Sequence, residues 1–307
     1  MINLIVTPDD SGYREDIYSF IVYDLEEKTI IHKRKKQEEL DCKHLEGQGR
    51  HTFRPFGIET NGNYIFIVSN DRIGVFNRSS FEFIGILDIP LYVNTHQIIL
   101  NDGVLYSCDT SVNAIGIHTE NESKQFNLND FKICDTLPKP KDVYSDDSKH
   151  VNSLYEYEGK IYFCLHNKNK KMSKFGYFDK KSFECRIIAS AGYSCHNIRI
   201  IDKKLYSLSS GSGDIVEINL QDNSVIYYPF VNHEKTFLRG LDSINEYLII
   251  GASNNHNSKM LENNCFISAF NTKTKQINRV MDLQDVFVIT DLKIIEGYNN
   301  EINNNTI

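Results

Sequence analysis

No stretch of this chain approaches the ~20 consecutive apolar residues of a membrane-spanning helix. The N-terminal segment holds only the short apolar run Ile2–Val6, without a basic leader or a cleavage site, so a soluble, cytoplasmic protein with no membrane partner is expected. The seven cysteines form no Cys-x-x-Cys pair and are odd in number, and Cys164 and Cys185 read as small apolar fillers in a reducing compartment. No Pro/Gly/Ser-rich linker divides the 307 residues, so a single domain over 1–307 is expected, with 299–307 as a frayed tail. A P-loop, a Gly-x-Ser-x-Gly elbow and a Gly-x-Gly-x-x-Gly turn are all missing. A net charge of −7 withholds the clustered cations that phosphate contacts require, which argues against a nucleic-acid partner. One basic run, His32–Lys36, is followed at once by Glu38, Glu39 and Asp41 and reads as a solvated edge strand.

What the chain has instead is a repeat. In residues 149–167, KHVNSLYEYEGKIYFCLHN, an apolar strand enters at Leu154, turns at Glu158-Gly159 and returns from Ile161, seven residues on. The same spacing of seven separates Ile58 from Ile65, Ile98 from Leu105, Ile198 from Leu205, and Leu241 from Leu248. Asn61-Gly62 and Asp102-Gly103 supply hairpin-turn chemistry in two of these copies, beside Glu158-Gly159. A third and a fourth apolar-patterned segment follow each hairpin, and the copies recur every ~40 to 55 residues, the period of a β-propeller blade. At the N-terminus, INLIVT and YSFIVYDLEEKTII look like three strands of a blade without its first; near the C-terminus, VITDLKIIEG looks like a first strand without successors. The predicted fold is therefore all-β: a six-bladed β-propeller of four-stranded antiparallel blades, its closing blade shared by the N- and C-terminal strands. Residues 41–53 read as a polar connector, 129–149 as a longer loop able to overhang one face as a lid, and 168–171 and 254–264 as hairpin loops.

The first strand of each propeller blade faces the central tunnel, so equivalent positions form a ring. Two residues before each apolar anchor stand Phe56, His96, Asn152, His196, Arg239 and Thr290; two residues further back, on the same strand face, stand Arg54, Asn94, His150, Ser194, Phe237 and Val288. His96, His150 and His196 come from three consecutive blades and are candidate ligands for one divalent metal, Zn, Fe or Mn, at the tunnel mouth. Such an ion polarises a carbonyl or activates water. Without a metal, the same histidines with Arg239 form a candidate catalytic set, and Arg54, Asn152 and Asn197 can bind a small anionic ligand. A third reading makes these residues the lining of a merely solvated tunnel, in a non-catalytic scaffold whose loops bind a protein partner. Asp242 and Asp291, with Asn197, carry the oxygens for Ca²⁺, but strand parity turns both carboxylates away from the ring. His166 and Asn167 follow the second strand of their blade, where they can approach the same face, though a turn role is favoured; His51, His233 and His256 read as loop residues.

The segment HNIRIIDKKLYSLSSGSGDIVEIN (196–219) resembles the repeat of six-bladed propellers of the NHL and strictosidine-synthase-like type, which implies that architecture for nearly the whole chain. Without tryptophan there is no WD dipeptide, which argues against a WD40 propeller. HVNSL (150–154) is similar to the His-x-Asn-Ser-aliphatic motif of bacterial arylsulfotransferases, and that resemblance implies a sulfuryl-carrying role for His150. The arginine that usually follows the next strand there is replaced by HNK at 166–168. Peptidyl-amidoglycolate lyases are similar in placing histidines from separate blades on a central metal. The expectation is binding or turnover of a small, anionic molecule by a hydrolase, lyase or transferase.

Overall fold

The computed structural model describes residues 2–9, 17–41, 53–91, 94–134, 148–168, 171–230, 236–254 and 265–296. The suggested lid falls largely outside these residues, as do most of the connector 41–53, the loop 254–264, the frayed tail, His51, His233 and His256.

Strands β1 (Ile2–Pro8), β2 (Tyr18–Asp24) and β3 (Thr29–Lys35) open the chain. Blade 1 follows as β4 (Pro55–Asn61), β5 (Tyr64–Ser69), β6 (Arg72–Asn77) and β7 (Phe83–Ile86). Blade 2 runs through β8 (Thr95–Asn101), β9 (Val104–Asp109), β10 (Ala114–His118), β11 (Ser123–Asn127) and β12 (Lys132–Cys134). Blade 3 is β13 (Val151–Tyr157), β14 (Lys160–Leu165), β15 (Met172–Asp179) and β16 (Cys185–Tyr193); blade 4 is β17 (Cys195–Ile201), β18 (Lys204–Ser209), β19 (Asp214–Asn219) and β20 (Val225–Pro229). Blade 5 is β21 (Thr236–Ile244), β22 (Tyr247–Asn254), β23 (Phe266–Asn271) and β24 (Ile277–Asp282). Finally β25 (Ile289–Glu296) returns beside β1, and the sheet order β25-β1-β2-β3 joins both chain ends in one closing blade, as predicted. The register is Leu4 opposite Ile294 and Val6 opposite Leu292. The basic run forms the outer strand β3 of that blade, half exposed. The short β12 makes blade 2 five-stranded, where the sequence led us to expect four and a loop from 129.

The seven-residue spacing has a packing cause. Alternate residues of a strand point to opposite faces, and each blade is covered on both faces by its neighbours. Ile58 and Ile65 join one apolar cluster with Ile5, Phe20 and Val22 of the closing blade; Ile98 and Leu105 join another with Phe66, Val68 and Ile73 of blade 1. Leu154 with Ile161, Ile198 with Leu205, and Leu241 with Leu248 do the same against blades 2, 3 and 4. The last such cluster sets Leu4, Val6 and Leu292 of the closing blade against Ile249, Ile267 and Met281 of blade 5. Each paired anchor thus spans one hairpin diagonally and faces the preceding blade.

Near the axis the strands are not regular. In blades 1 to 5 the innermost strand carries a register shift, between Pro55 and Gly57, Thr95 and Ile98, Val151 and Ser153, His196 and Ile198, and Leu238 and Leu241. Such bulges re-aim side chains and break the period of two. Gly57 permits a close approach here, since a Cβ at that position would lie 2.6 Å from the His96 carbonyl oxygen. Gly240, at φ +86°, fits the left-handed conformation that its bulge demands.

Side chains join the blades around the axis by accepting backbone N–H groups of the next blade. Gln97 Oε1 accepts from Leu154 at 2.8 Å, Ser153 Oγ from Asn197 at 2.6 Å, and Asn197 Oδ1 from Gly240 at 2.8 Å. Asp242 Oδ2 accepts from Ile294 at 2.8 Å, and Asp291 Oδ2 from Ile58 at 3.2 Å. Asn197 Nδ2 then crosses from blade 4 to the closing blade and donates to Asp291 Oδ1 at 2.9 Å.

Burial pushes the Asp291 carboxyl from its ordinary 3.8 up to about 6, against the pull of Arg199 and of the Ile58 and Leu292 N–H groups. The folded chain therefore holds this proton more tightly than the unfolded chain. The stabilisation this brings is full below about pH 4 and is lost as pH rises through about 6, a change of about 3 kcal/mol. The unfolding free energy of the natural chain minus that of Asp291→Asn, measured by urea titration, is expected to fall by that amount over this window. A pH-independent difference would contradict the placement of Asp291.

Candidate functional site

The two candidate layers merge at one tunnel mouth, at the N-terminal ends of the innermost strands. Phe56 and His96 stack with ring centroids 4.5 Å apart and planes 14° from parallel. His150 meets His96 edge-on at 4.8 Å, His166 lies 4.9 Å beyond His150, His196 5.3 Å beyond His166, and Phe237 5.5 Å beyond His196. The guanidiniums of Arg54 and Arg239 lie 4.9 and 6.0 Å from the Phe56 centroid, so the row of rings ends under two cations.

Local backbone chemistry sets up this row. His150 sits at φ +50° just before β13, a left-handed conformation uncommon for histidine. The Asn113 side chain holds it there, accepting the N–H groups of Lys149 and His150 at 3.0 and 3.1 Å. Asn94 and Ser194 take the same conformation ahead of β8 and β17, so three blades launch their inner strands alike.

The hydrogen bonds fix which imidazole nitrogens carry protons. Ser210 Oγ donates to the Leu238 carbonyl, so its 2.8 Å contact with His196 Nδ1 is a bond donated by the imidazole. Nε2 is then the acceptor of His196. Asn94 Oδ1, 3.2 Å from His96 Nε2, is likewise an acceptor, which leaves the lone pair of His96 on Nδ1. That nitrogen is buried and has no hydrogen-bond partner among the described residues. Burial, then the neighbouring His150 and Arg239, holds His96 well below the usual imidazole range; burial, then Arg239 and His166, does the same to His196. Both rings are neutral at pH 7.

Arg54 and Arg239 differ in one respect. Arg54 donates from Nε and a terminal nitrogen to Asp9 Oδ2 at 3.1 and 2.8 Å, so its charge is matched. Arg239 is 8% exposed and makes no hydrogen bond or ion pair among the described residues, while the carboxylates of Asp9 and Asp291 lie near enough to act on its charge. Burial and the nearby Arg54 push its pKa down to about 10, which leaves it charged at neutral pH.

Other nominated residues have different duties. Asn152 donates to the Cys195 carbonyl at 2.8 Å and accepts from Ser153, and Asn197 is used in the crossing bond to Asp291, so both amides hold blades together. Asp291 corrects the parity expectation: it meets Asn197 at the axis because the register of β25 against β1 shifts beside it, between Thr7 and Pro8, and breaks the alternation. Asp242 does lie away from the rings, where it accepts from Arg199 Nε at 2.8 Å. Among the described residues no three His, Cys, Asp or Glu side chains form a group able to hold a metal ion. Thr290 is committed to backbone oxygens of Thr7 and Pro55.

Of the two readings of His166, a turn residue or a residue approaching the ring from the second strand, the structure supports the second, since it completes the row of rings. A usable signal was its place directly after the second strand of its blade, where Ser210 of blade 4 also reaches the mouth. A second polar group went unnoticed in the sequence. In blade 2, Ser107 Oγ donates to Asp109 at 2.7 Å and lies 3.2 Å from His118 Nε2, while His118 Nδ1 meets Ser123 Oγ at 3.0 Å and Gln125 donates to Asp109 at 2.7 Å. The carboxylate here binds the serine rather than the imidazole, which is not the relay of a nucleophile triad. Burial pushes Asp109 up to about 7 and His118 down to about 4. Gly116 leaves room for the group, since a methyl there would collide with Ser107 and His118. The network joins β9, β10 and β11 within one blade.

No family model matches the chain, and no curated protein matches it. Solved structures do share its fold. A chain of a nidogen/laminin complex superimposes with a TM-score of 0.65 at 10% identity, over 96% of this chain and 98% of that one. A protein of unknown function from Bacteroides caccae gives 0.64 at 12% identity, over 96% and 99%. These likenesses establish a six-bladed propeller and nothing finer. Among the described residues no helix is long and apolar enough to cross a membrane.

The depressed imidazoles make a spectroscopic expectation. In ¹H–¹⁵N correlation spectra of the side chains, His96 and His196 should keep neutral-ring shifts from about pH 8 down to about pH 6, where an ordinary histidine titrates. A midpoint near the ordinary value for either ring would contradict its burial beside Arg239.

Proposed function

We propose that this propeller binds a small anionic molecule at the mouth lined by histidines and arginine. The anionic group lies against Arg239, and an adjacent hydroxyl or amine hydrogen reaches His196 Nε2. The observation that carries this reading is the buried Arg239 guanidinium, which no carboxylate contacts in an ion pair among the described residues. An uncompensated buried charge costs on the order of several kcal/mol, and a bound anion offsets that cost. Because Asp9 is in ion-pair contact with Arg54, Arg239 is the guanidinium left to contact a ligand, which suits a monoanion.

Binding is favoured over turnover because the hydroxyl beside His196, that of Ser210, is already donated to a carbonyl and is not poised as a nucleophile. The rings succeed one another edge-on and tilted, which favours hydrogen bonding to a ligand over joint coordination of one Zn, Fe or Mn ion. In HVNSL, Asn152 and Ser153 bond the next blade, so sulfuryl transfer gains no support from them. For the type of propeller we retain the NHL and strictosidine-synthase-like resemblance, on the repeat at 196–219 that carries it. The scaffold alternative draws only on fold likeness to a chain from a nidogen/laminin complex.

Thermal unfolding in the presence of a panel of hydroxycarboxylates, phosphate monoesters and sulfate esters tests the proposal. At least one compound is expected to raise the Tm of the natural chain and to leave that of Arg239→Met unchanged. A panel without effect, or equal shifts in both proteins, would overturn it.

A further inference from the structure

Further along the same innermost strands, beyond the bonds that cross the axis, lies a cavity of about 200 Å³. Its walls include Gln97, Tyr155, Arg199 and Lys293, with Glu59 and Glu156 as its carboxylates. None of these belongs to the mouth formed by the histidines and Arg239. The charges are already matched: Lys293 lies 2.8 Å from Glu59, Lys180 3.3 Å from Glu156, and Arg199 2.8 Å from Asp242. An ion of either sign would have to displace one of these partners, so the cavity suits a molecule without net charge.

The unused hydrogen-bonding capacity narrows the class further. The ion pairs and the Thr60 and Gly159 N–H groups all fall on Oε1 of Glu59 and Glu156, so Oε2 of each remains as an acceptor. Gln97 is buried and spends Oε1 on the Leu154 N–H, while its Nε2 has no partner among the described residues. Two carboxylate acceptors and one amide donor around one small space match hydroxyl groups, which both donate and accept. The volume lies below the roughly 300–1,000 Å³ of pockets for drug-sized ligands. We infer that this end of the tunnel is a second ligand site, for a neutral polyhydroxylated molecule no larger than a monosaccharide, held by Glu59, Glu156 and Gln97.

The inference can fail independently of the anion site, because its probes carry no charge and its residues are distinct. In ¹H–¹⁵N spectra of the full chain, glycerol, myo-inositol and D-glucose are titrated in turn while the Gln97 side-chain amide and the backbone of β13 are followed. At least one polyol is expected to give saturable shifts there. Its affinity should drop about tenfold in Glu156→Gln, through loss of a hydrogen bond to a charged group, and should be unchanged in Arg239→Met. Glu156 stands at the rim and is half-buried, and Glu59→Gln provides a second variant with the same expectation. No saturable shift with any of the three, or an affinity in both glutamate variants unchanged from that of the natural chain, would overturn the assignment. Binding of the zwitterion glycine where the polyols fail would overturn it in favour of a charged ligand.

Discussion

The innermost strand of each blade is the edge of its sheet, and its N–H groups that face the tunnel have no further strand to pair with. An unpaired backbone donor away from water is costly. The structure answers with side chains from the neighbouring blade: Gln97, Ser153, Asn197, Asp242 and Asp291 each accept one such N–H. Ring closure, bulge placement and the contents of the tunnel all depend on this exchange. Because Asn197 and Asp291 also bond each other across the axis, two environments are separated within one tunnel.

Those environments differ in how their charges are matched. At one mouth, neutral imidazoles and phenyl rings surround a guanidinium that no carboxylate contacts in an ion pair among the described residues, which is the basis of the proposed anion site. Toward the other end every cation has its carboxylate, and what remains is hydrogen-bonding capacity without net charge. Under the two proposals, the innermost strands take an anion at one end and a neutral molecule at the other.

Much of the fold was legible because packing leaves a periodic trace. The anchors Ile58/Ile65 through Leu241/Leu248 recur at a fixed spacing because each pair must face the preceding blade, and a closing blade followed from three strands lacking a first. The candidate ring was legible for the same reason, and it brought His96, His150, His196 and Arg239 to one mouth. It failed where bulges interrupt the alternation, so Asp291 was turned the wrong way and Gln97 passed unnoticed. It also failed to separate residues that bind the next blade, Asn152 and Asn197, from residues available to a ligand, since both kinds are polar and occupy equivalent positions. His166 was ranked below a turn role because it enters the mouth from the second strand, outside the register of the first.

The central claim is that Arg239 is an anion site. Anomalous diffraction from a crystal soaked in sodium bromide tests it most directly, because bromide needs only an unmatched donor and no knowledge of the natural ligand. The account expects a bromide peak within hydrogen-bonding reach of the Arg239 guanidinium, on the side facing His196. Bromide bound at surface lysines with none beside Arg239 would contradict it.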